Sequence, residues 1–452
     1  MDALQAFSRG QAAHVKLDDP GAIPHLQHAI ELDPNFAMAY ATLGTAYGNL
    51  TQGNLARDTL KKAFDLKDRA SERERFYIVA HYYDEGTGEI DKAIETYEQW
   101  KKTYPRDTVP WDNLSLRYET IGQHEKSLAN ASEAMRMDPK DRYAYQNLAG
   151  AYEALNRYDE AKTILEKGAA QDMDLPAGHL ILYQIAFLQH EEPAMQRQLE
   201  ALKGKPYEPI VLLFQAQGQC SKGKLRNARQ TYQQSSNLAQ RLGLKELAAG
   251  LRVSEAACDA YLGDEAAARK SAAEAIAISD DRDTRIGIAS VLAQTGDTVG
   301  SQKLIPALAK EFPDDTILNV VFLPVARAFT ELRGNKPAEA LILLQTSPPY
   351  DFGAGPYGAN YLSLYVRAEA FLQARDGANA VTEYNKILDH PGIDPTNPLY
   401  SLARLGLGRA CLLRGDANKA KAAYQDFLAY WKDADPDVPV LTQAKAEYAK
   451  LH

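Results

Sequence analysis

Large apolar, small apolar and polar positions recur along this chain in a fixed order. In Tyr40–Ala63 (YATLGTAYGNLTQGNLARDTLKKA), Tyr40, Leu43, Gly44 and Tyr47 stand at i, i+3, i+4 and i+7, and Ala56, Leu60 and Ala63 at i, i+4 and i+7. Each set lies on one face of a helix, so the stretch predicts two amphipathic helices joined by a short turn. The order then repeats. Gly10 is followed by Gly44. Ala22, Ala56, Ala93, Ser127 and Ala161 stand 34, 37, 34 and 34 residues apart, as do Ala29, Ala63, Trp100, Ala134 and Gly168. A period of 34 is that of one helix–turn–helix unit stacked many times. The small residues let the two helices cross closely and the large ones fill the gaps. Pro34, Pro105 and Pro139 close second helices, because proline cannot continue them.

Four regions follow from the pattern. Residues 1–173 form a regular array. Its copy over Phe76–Pro105 is three residues longer, with YYDEGTGEIDKA between the helices and His81 and Trp100 at small-residue positions; the insertion is expected to lengthen the turn. Over residues 174–346 the consensus erodes, yet helix pairs read at 212–223 with 225–238, 245–262 with 265–279, 285–295 with 298–312, and 318–333 with 337–346. Pro306 and Pro324 are expected to bend or break their helices. Residues 347–359 (SPPYDFGAGPYGA) read as a Pro/Gly-rich loop. The pattern returns over 360–452 in Leu364, Arg367, Ala368 and Phe371, then Leu407, Gly408, Cys411, Tyr424 and Phe427, and closes on a charged helix at 440–451 that reads as a cap. The predicted fold is an all-α, right-handed superhelical solenoid of about eleven helix pairs plus a capping helix.

The positions Tyr40, Leu43, Gly44, Tyr47, Ala56 and Leu60, with the copies Trp111, Leu114, Tyr118, Ser127, Ala131, Ala134, Pro139 and Tyr145, Leu148, Tyr152, Ala161, Leu165, resemble the tetratricopeptide repeat, W-x2-L-G-x2-Y…A-x3-F…P. The resemblance implies a curved protein-binding surface rather than a catalytic pocket. Ala70–Asp107 and Ala420–Leu451 also look like the repeat region that follows the kinase domain in acidobacterial eukaryote-type serine/threonine kinases. That likeness implies a sensor or docking arm of a bacterial signalling protein, or the regulatory segment of a kinase, placed outside the cytoplasm where a membrane helix precedes it. The chain as it stands reads as cytoplasmic. The same kind of region follows DNA-binding regulatory domains in related bacteria.

Composition narrows the function classes. Acidic residues outnumber basic ones 60 to 51, net −9, which argues against nucleic acid and anionic membranes as partners. No 18-residue apolar run is present, and residues 1–20 lack a signal-peptide layout. Cys220, Cys258 and Cys411 form no CxxC pair and are odd in number, so they read as buried small hydrophobes rather than a disulfide framework. Asp351-Phe352-Gly353 and the GxGxxG string Gly353–Gly358 imitate kinase motifs in reversed, overlapping order, without an HRD loop or a strand–turn–helix context. His25 and His28 lie beside Glu31 without a ligand pattern and read as a solvated face. Tyr47, Tyr118, Tyr152, Tyr384 and Tyr424 fall at packing positions. No catalytic residue, cofactor or metal is expected.

The groove is the expected site. If positions four, seven, eight and eleven of each first helix face the core, positions two, five, six, nine and twelve face the groove. In the two most regular copies these include Asp112, Asn113, Leu116 and Glu119, then Tyr143, Gln146, Asn147 and Glu153. Asn113 and Asn147 share a register, similar to the asparagine ladder in the repeats of O-linked N-acetylglucosamine transferases, in which amides pair with an extended backbone. No Lys/Arg clamp for a C-terminal carboxylate is present at the fifth positions. Glu119 and Glu153 favour a neutral or basic extended segment. Self-association, or occupation of the groove by loop 347–359, is the rival expectation.

Overall fold

Each unit folds as an antiparallel helix pair because its small residues sit where two helices touch. A Cβ on Gly10 would stand 2.7 Å from Leu26 Cγ, and one on Gly44 2.6 Å from Leu60 Cγ. The computed structural model describes residues 2–173, 175–354 and 360–451. These hold twenty-five α-helices and no strand. The pairs are α1 (Asp2–His14) with α2 (Asp19–Leu32), α3 (Ala37–Asn49) with α4 (Gly53–Asp65), α5 (Glu72–His81) with α6 (Ile90–Thr103), and α7 (Val109–Thr120) with α8 (His124–Met137). Next come α9 (Arg142–Ala154) with α10 (Tyr158–Ala169), α11 (Pro176–Leu188) with α12 (Glu192–Leu202), α13 (Glu208–Ser221) with α14 (Leu225–Arg241), and α15 (Lys245–Leu262) with α16 (Glu265–Ile278). The last are α17 (Arg282–Gln294) with α18 (Thr298–Glu311), α19 (Leu323–Arg333) with α20 (Pro337–Leu343), α21 (Leu362–Gln373) with α22 (Gly377–Leu388), and α23 (Pro398–Leu413) with α24 (Ala417–Tyr430); α25 (Pro439–Tyr448) caps the end.

The described residues thus hold twelve pairs, one more than the sequence pattern picks out. The missing one is α11/α12, whose first helix is apolar on nearly every side. Between the two helices of every pair one residue adopts a left-handed conformation: Leu17, Thr51, Gly88, Gly122, Asn156, His190, Gly223, Gly263, Gly296, Asn335, Arg375 and Gly415. The insertion after α5 does not lengthen a loop. It continues the helix as a π-helical turn, Tyr82–Thr87, ending on left-handed Gly88. Pro306 does not break α18, which runs through it; the carbonyl it frees belongs to solvent-exposed Gln302. Pro324 sits in the first turn of α19, where its missing N–H costs little, just after a second π-helical turn, Leu318–Phe322.

The cysteine expectation is corrected. Cys220 on α13 and Cys258 on α15 form a disulfide between first helices of adjacent pairs, and Cys411 remains a free buried thiol. An odd count had hidden one bonded pair and one spare.

Successive turns of the superhelix touch. The interhelical turns of early pairs meet connections between pairs five to seven units later. Asn54 N donates to Glu246 at 3.2 Å, Thr316 N to Gly88 O at 3.0 Å, Ala354 N to Glu119 O at 3.0 Å, and Gly392 N to Asn156 Oδ1 at 2.9 Å. Asp435 N donates to Gly223 O at 3.0 Å and Trp431 Nε1 to Ser221 O at 2.9 Å. Apolar cores cross the same seams. One joins Tyr97, Trp100 and Leu114 to Val321, Val325 and Val366; another joins Cys220 and Cys258 to Tyr384, Leu402 and Trp431.

Candidate functional site: the inner face of the superhelix

First helices line the interior, and with the turns in contact their inward side chains meet one another and later loops. Asp112 and Asn147 are only 7% and 6% exposed, and Glu153 is 6% exposed. Asn113, Leu116, Glu119, Tyr143 and Gln146 are half-buried. The two asparagines do share a register, and each spends an amide proton on the chain itself: Asn113 Nδ2 donates to Val109 O at 2.9 Å, and Asn147 Nδ2 to Asp112 O at 3.3 Å in the preceding repeat. Gln146 Oε1 accepts from Ala177 N at 2.9 Å, and Tyr143 Oη donates across the interior to His14 O at 3.2 Å. Asn147, Gln146 and Tyr143 therefore tie repeats together.

The three carboxylates of the set behave differently, since none forms a salt bridge, although the Arg117 charge offsets a part of the burial at Glu119. Glu119 on α7 and Glu153 on α9 face each other and Asp394 from the connection before α23. Burial pushes Glu119 up to about 7. Burial, then the charges of Glu119 and Asp394, hold Glu153 far above the usual carboxylate range. Burial lifts Asp394 to about 6, although Asn397 and Asn360 donate to it at 2.8 and 2.9 Å. Glu153 Oε1 is buried with no hydrogen-bond partner. Asp112 is likewise pushed well up, by burial and then by Asp141, and its Oδ1 has no partner. An ionised carboxylate held this way is costly, so these groups carry their protons or await a cation.

A second cluster escaped sequence reasoning. The π-helical turn drives Asp84 and Glu85 inward, where Asp84 pairs with Arg117. Glu85 has no salt bridge; burial, then the Asp84 charge, raise it to about 8. Its Oε2, Tyr97 Oη and Arg117 Nε are all buried without hydrogen-bond partners. Around them His14 Nδ1 meets Asp19 Oδ1 at 2.5 Å, Asn49 Nδ2 donates to Asp19 at 2.9 Å, and His81 is fully buried with its basicity lowered to about 3 by that burial. The three extra residues in the 37-residue spacing were the available signal.

The motif imitations resolve structurally. Asp351 forms a buried ion pair with Arg367, which also binds Glu383 at 2.9 Å; residues 355–359 of the glycine string lie outside the described residues. Residues 351–354 pack on the α7–α8 turn at Gly122 and His124, with Ala354 N donating to the backbone of the groove residue Glu119. His25 and His28 are exposed, with His28 3.2 Å from Glu31. Tyr47, Tyr118, Tyr384 and Tyr424 are buried and Tyr152 partly so. No helix among the described residues is long and apolar enough to cross a membrane.

A family model described as the tetratricopeptide repeat matches residues 122–184. No curated protein matches. Among solved structures the chain is similar to MamA (25% identity, 36% of this chain and 94% of that one, TM-score 0.24), to yeast Tom70 (12%, 99% and 95%, TM-score 0.34), and to PilW, titled a widely conserved type IV pilus biogenesis factor (15%, 44% and 92%, TM-score 0.33). Residues 122–184 thus match the tetratricopeptide repeat, within a chain that is an array of helix pairs throughout its described residues.

Proposed function

We propose that the chain is a non-enzymatic scaffold that takes an extended, basic protein segment along the inner face of its superhelix. The supporting observation is the row of inward carboxylates without counter-ions, Asp112, Glu119 and Glu153, in a chain whose other buried acids are largely ion-paired. A lysine or arginine of a bound segment would supply the missing charge and recover the desolvation cost. An extended segment is favoured over a folded domain because the turns of the superhelix touch. Asn113 and Asn147 keep an acceptor and one amide proton each for that segment's backbone. The test is fluorescence anisotropy with labelled twelve-residue Lys/Ala and Glu/Ala peptides. The basic peptide is expected to bind wild type and to lose affinity in Glu119→Gln/Glu153→Gln, while the acidic one does not bind. Equal binding by wild type and the double variant would remove the carboxylates from the site.

Within that reading the chain serves as the docking or sensor arm of a bacterial signalling protein, such as the regulatory segment of a serine/threonine kinase. The Cys220–Cys258 disulfide supports an extracytoplasmic placement, since such bonds persist in oxidising compartments. Alkylation of protein trapped directly from its cells is expected to leave both thiols unlabelled; labelling of both would overturn the placement.

A further inference from the structure

Arg404 occupies the fourth position of its repeat, where Tyr40, Trp111, Tyr145 and Leu364 fill the gap between pairs elsewhere. Around it α22 and α24 stand apart over α23, leaving a cavity of about 350 Å³. Leu388, Leu407 and Ala423 give it apolar walls, and Asn385 and Asp426 add polar groups. The guanidinium is held by two rings, 4.5 Å from the centre of Tyr400 and 5.0 Å from that of Tyr430. Its Nη1 is buried with no hydrogen-bond partner.

What sets Arg404 apart is its missing carboxylate. The inward-facing Arg117, Arg252, Arg282, Arg367 and Arg409 each pair with Asp or Glu. A second cavity, about 190 Å³, lies in the equivalent place between α12 and α14; there Lys222, one of two lysines on the wall, has Glu192 at 3.6 Å. At Arg404 the ring clamp fixes the cation and no salt bridge neutralises it, while Arg414 adds positive charge at the exposed mouth; Lys419 there is paired with Asp416 at 3.6 Å. In a chain of net charge −9 this is a local reversal of sign.

We propose that this cavity binds a small organic monocarboxylate with an apolar body. The carboxylate lies against the Arg404 guanidinium, whose planar fork matches it, with the Asn385 amide as a further donor. The apolar body fills the space against Leu388, Leu407 and Ala423. Asp426 on the wall repels any anion and penalises a dianionic phosphate about twice as strongly as a monocarboxylate. A free short-chain acid and a peptide C-terminus ending in an apolar residue offer the same chemistry.

The test is isothermal titration calorimetry on the full chain with hexanoate, with acetyl-Ala-Leu bearing a free C-terminus, and with hexylamine and the amidated peptide as controls. At least one free carboxylate is expected to saturate at one per chain, and neither control to bind. Binding by hexanoate alone supports the free acid; binding by the peptide supports a C-terminus. Arg404→Gln is expected to weaken binding about tenfold or more through loss of a charge-assisted bond. Ala422→Phe, which fills the mouth from an exposed position, is expected to block it with the charge intact. Absence of saturable heat for both carboxylates up to about 10 mM, or unchanged binding in both folded variants, would overturn the proposal.

Discussion

Glu119 shows how one side chain links stability to function. Its carboxyl is lifted to about 7 from the usual 4.5, chiefly by burial, so folding favours the protonated form. That contribution is complete below about pH 4.5 and is lost as pH rises through about 7, amounting to at most about 3 kcal/mol. Glu119→Gln keeps a neutral side chain at every pH. Urea unfolding from pH 4.5 to 8 should therefore fall less steeply for the variant than for wild type, and parallel curves would show that Glu119 is already solvated. His81 acts in the opposite sense: held neutral by burial and lowered to about 3, its contribution is complete above pH 6.5 and is lost progressively as pH falls from there through about 3. Arg367 offers a sharper test of packing. It is buried between Asp351 and Glu383 and also donates to Ser347 at 2.8 Å. Arg367→Ala leaves two buried carboxylates uncompensated and should cost about 3–5 kcal/mol in urea unfolding; a loss near that of a surface pair would mean that the two acids take up protons freely. The residues of the inner face were legible as positions, because a 3.6-residue period fixes which side chains point inward. Their states were not, because burial of Glu119 and Glu153 depends on connections more than two hundred residues away.

At the scale of elements, the helix pairs of residues 1–173 follow directly from small residues recurring at 34. In the eroded middle the consensus side chains change, but the left-handed residue between the helices persists at Gly223, Gly263, Gly296 and Asn335. Glycine and asparagine tolerate that conformation, so these positions, rather than the packing residues, carry the register there. His190, which ends α11 in the same way, is a poor sequence marker, and its pair was missed for that reason as well as for the uniformly apolar α11. The disulfide was illegible because pairing depends on α13 lying beside α15, two helices on, and a 38-residue separation announces nothing. It closes a loop of that length, which chain-entropy arguments value at about 4 kcal/mol. Cys220→Ser/Cys258→Ser should lower the denaturation midpoint accordingly, with no further drop when reductant is added; a reductant effect that survives in the double variant would place the labile thiol chemistry at Cys411.

For the whole molecule, contact between superhelical turns changes the thermodynamics expected of a repeat array. In an open solenoid each unit touches only its neighbours, so stability is nearly a sum of local terms and the ends unfold separately. Here Trp100 lies in a core with Val321, Val325 and Val366, and Trp431 lies in one with Cys220 and Cys258. The exposed surface, 19018 Å², is only modestly above the roughly 17,000 Å² of a compact globule of this mass. Removing the last pairs would uncover core residues of the third, fourth, seventh and eighth, so the two halves should unfold together. Variants that keep only Trp100 or only Trp431 report on opposite ends of the chain, and their urea midpoints by fluorescence should coincide with each other and with the loss of helix by circular dichroism. Midpoints that separate would mean that the seams open before the repeats melt. The inner face would then be exposed in a populated intermediate, and a basic segment added in excess should shift the seam transition alone.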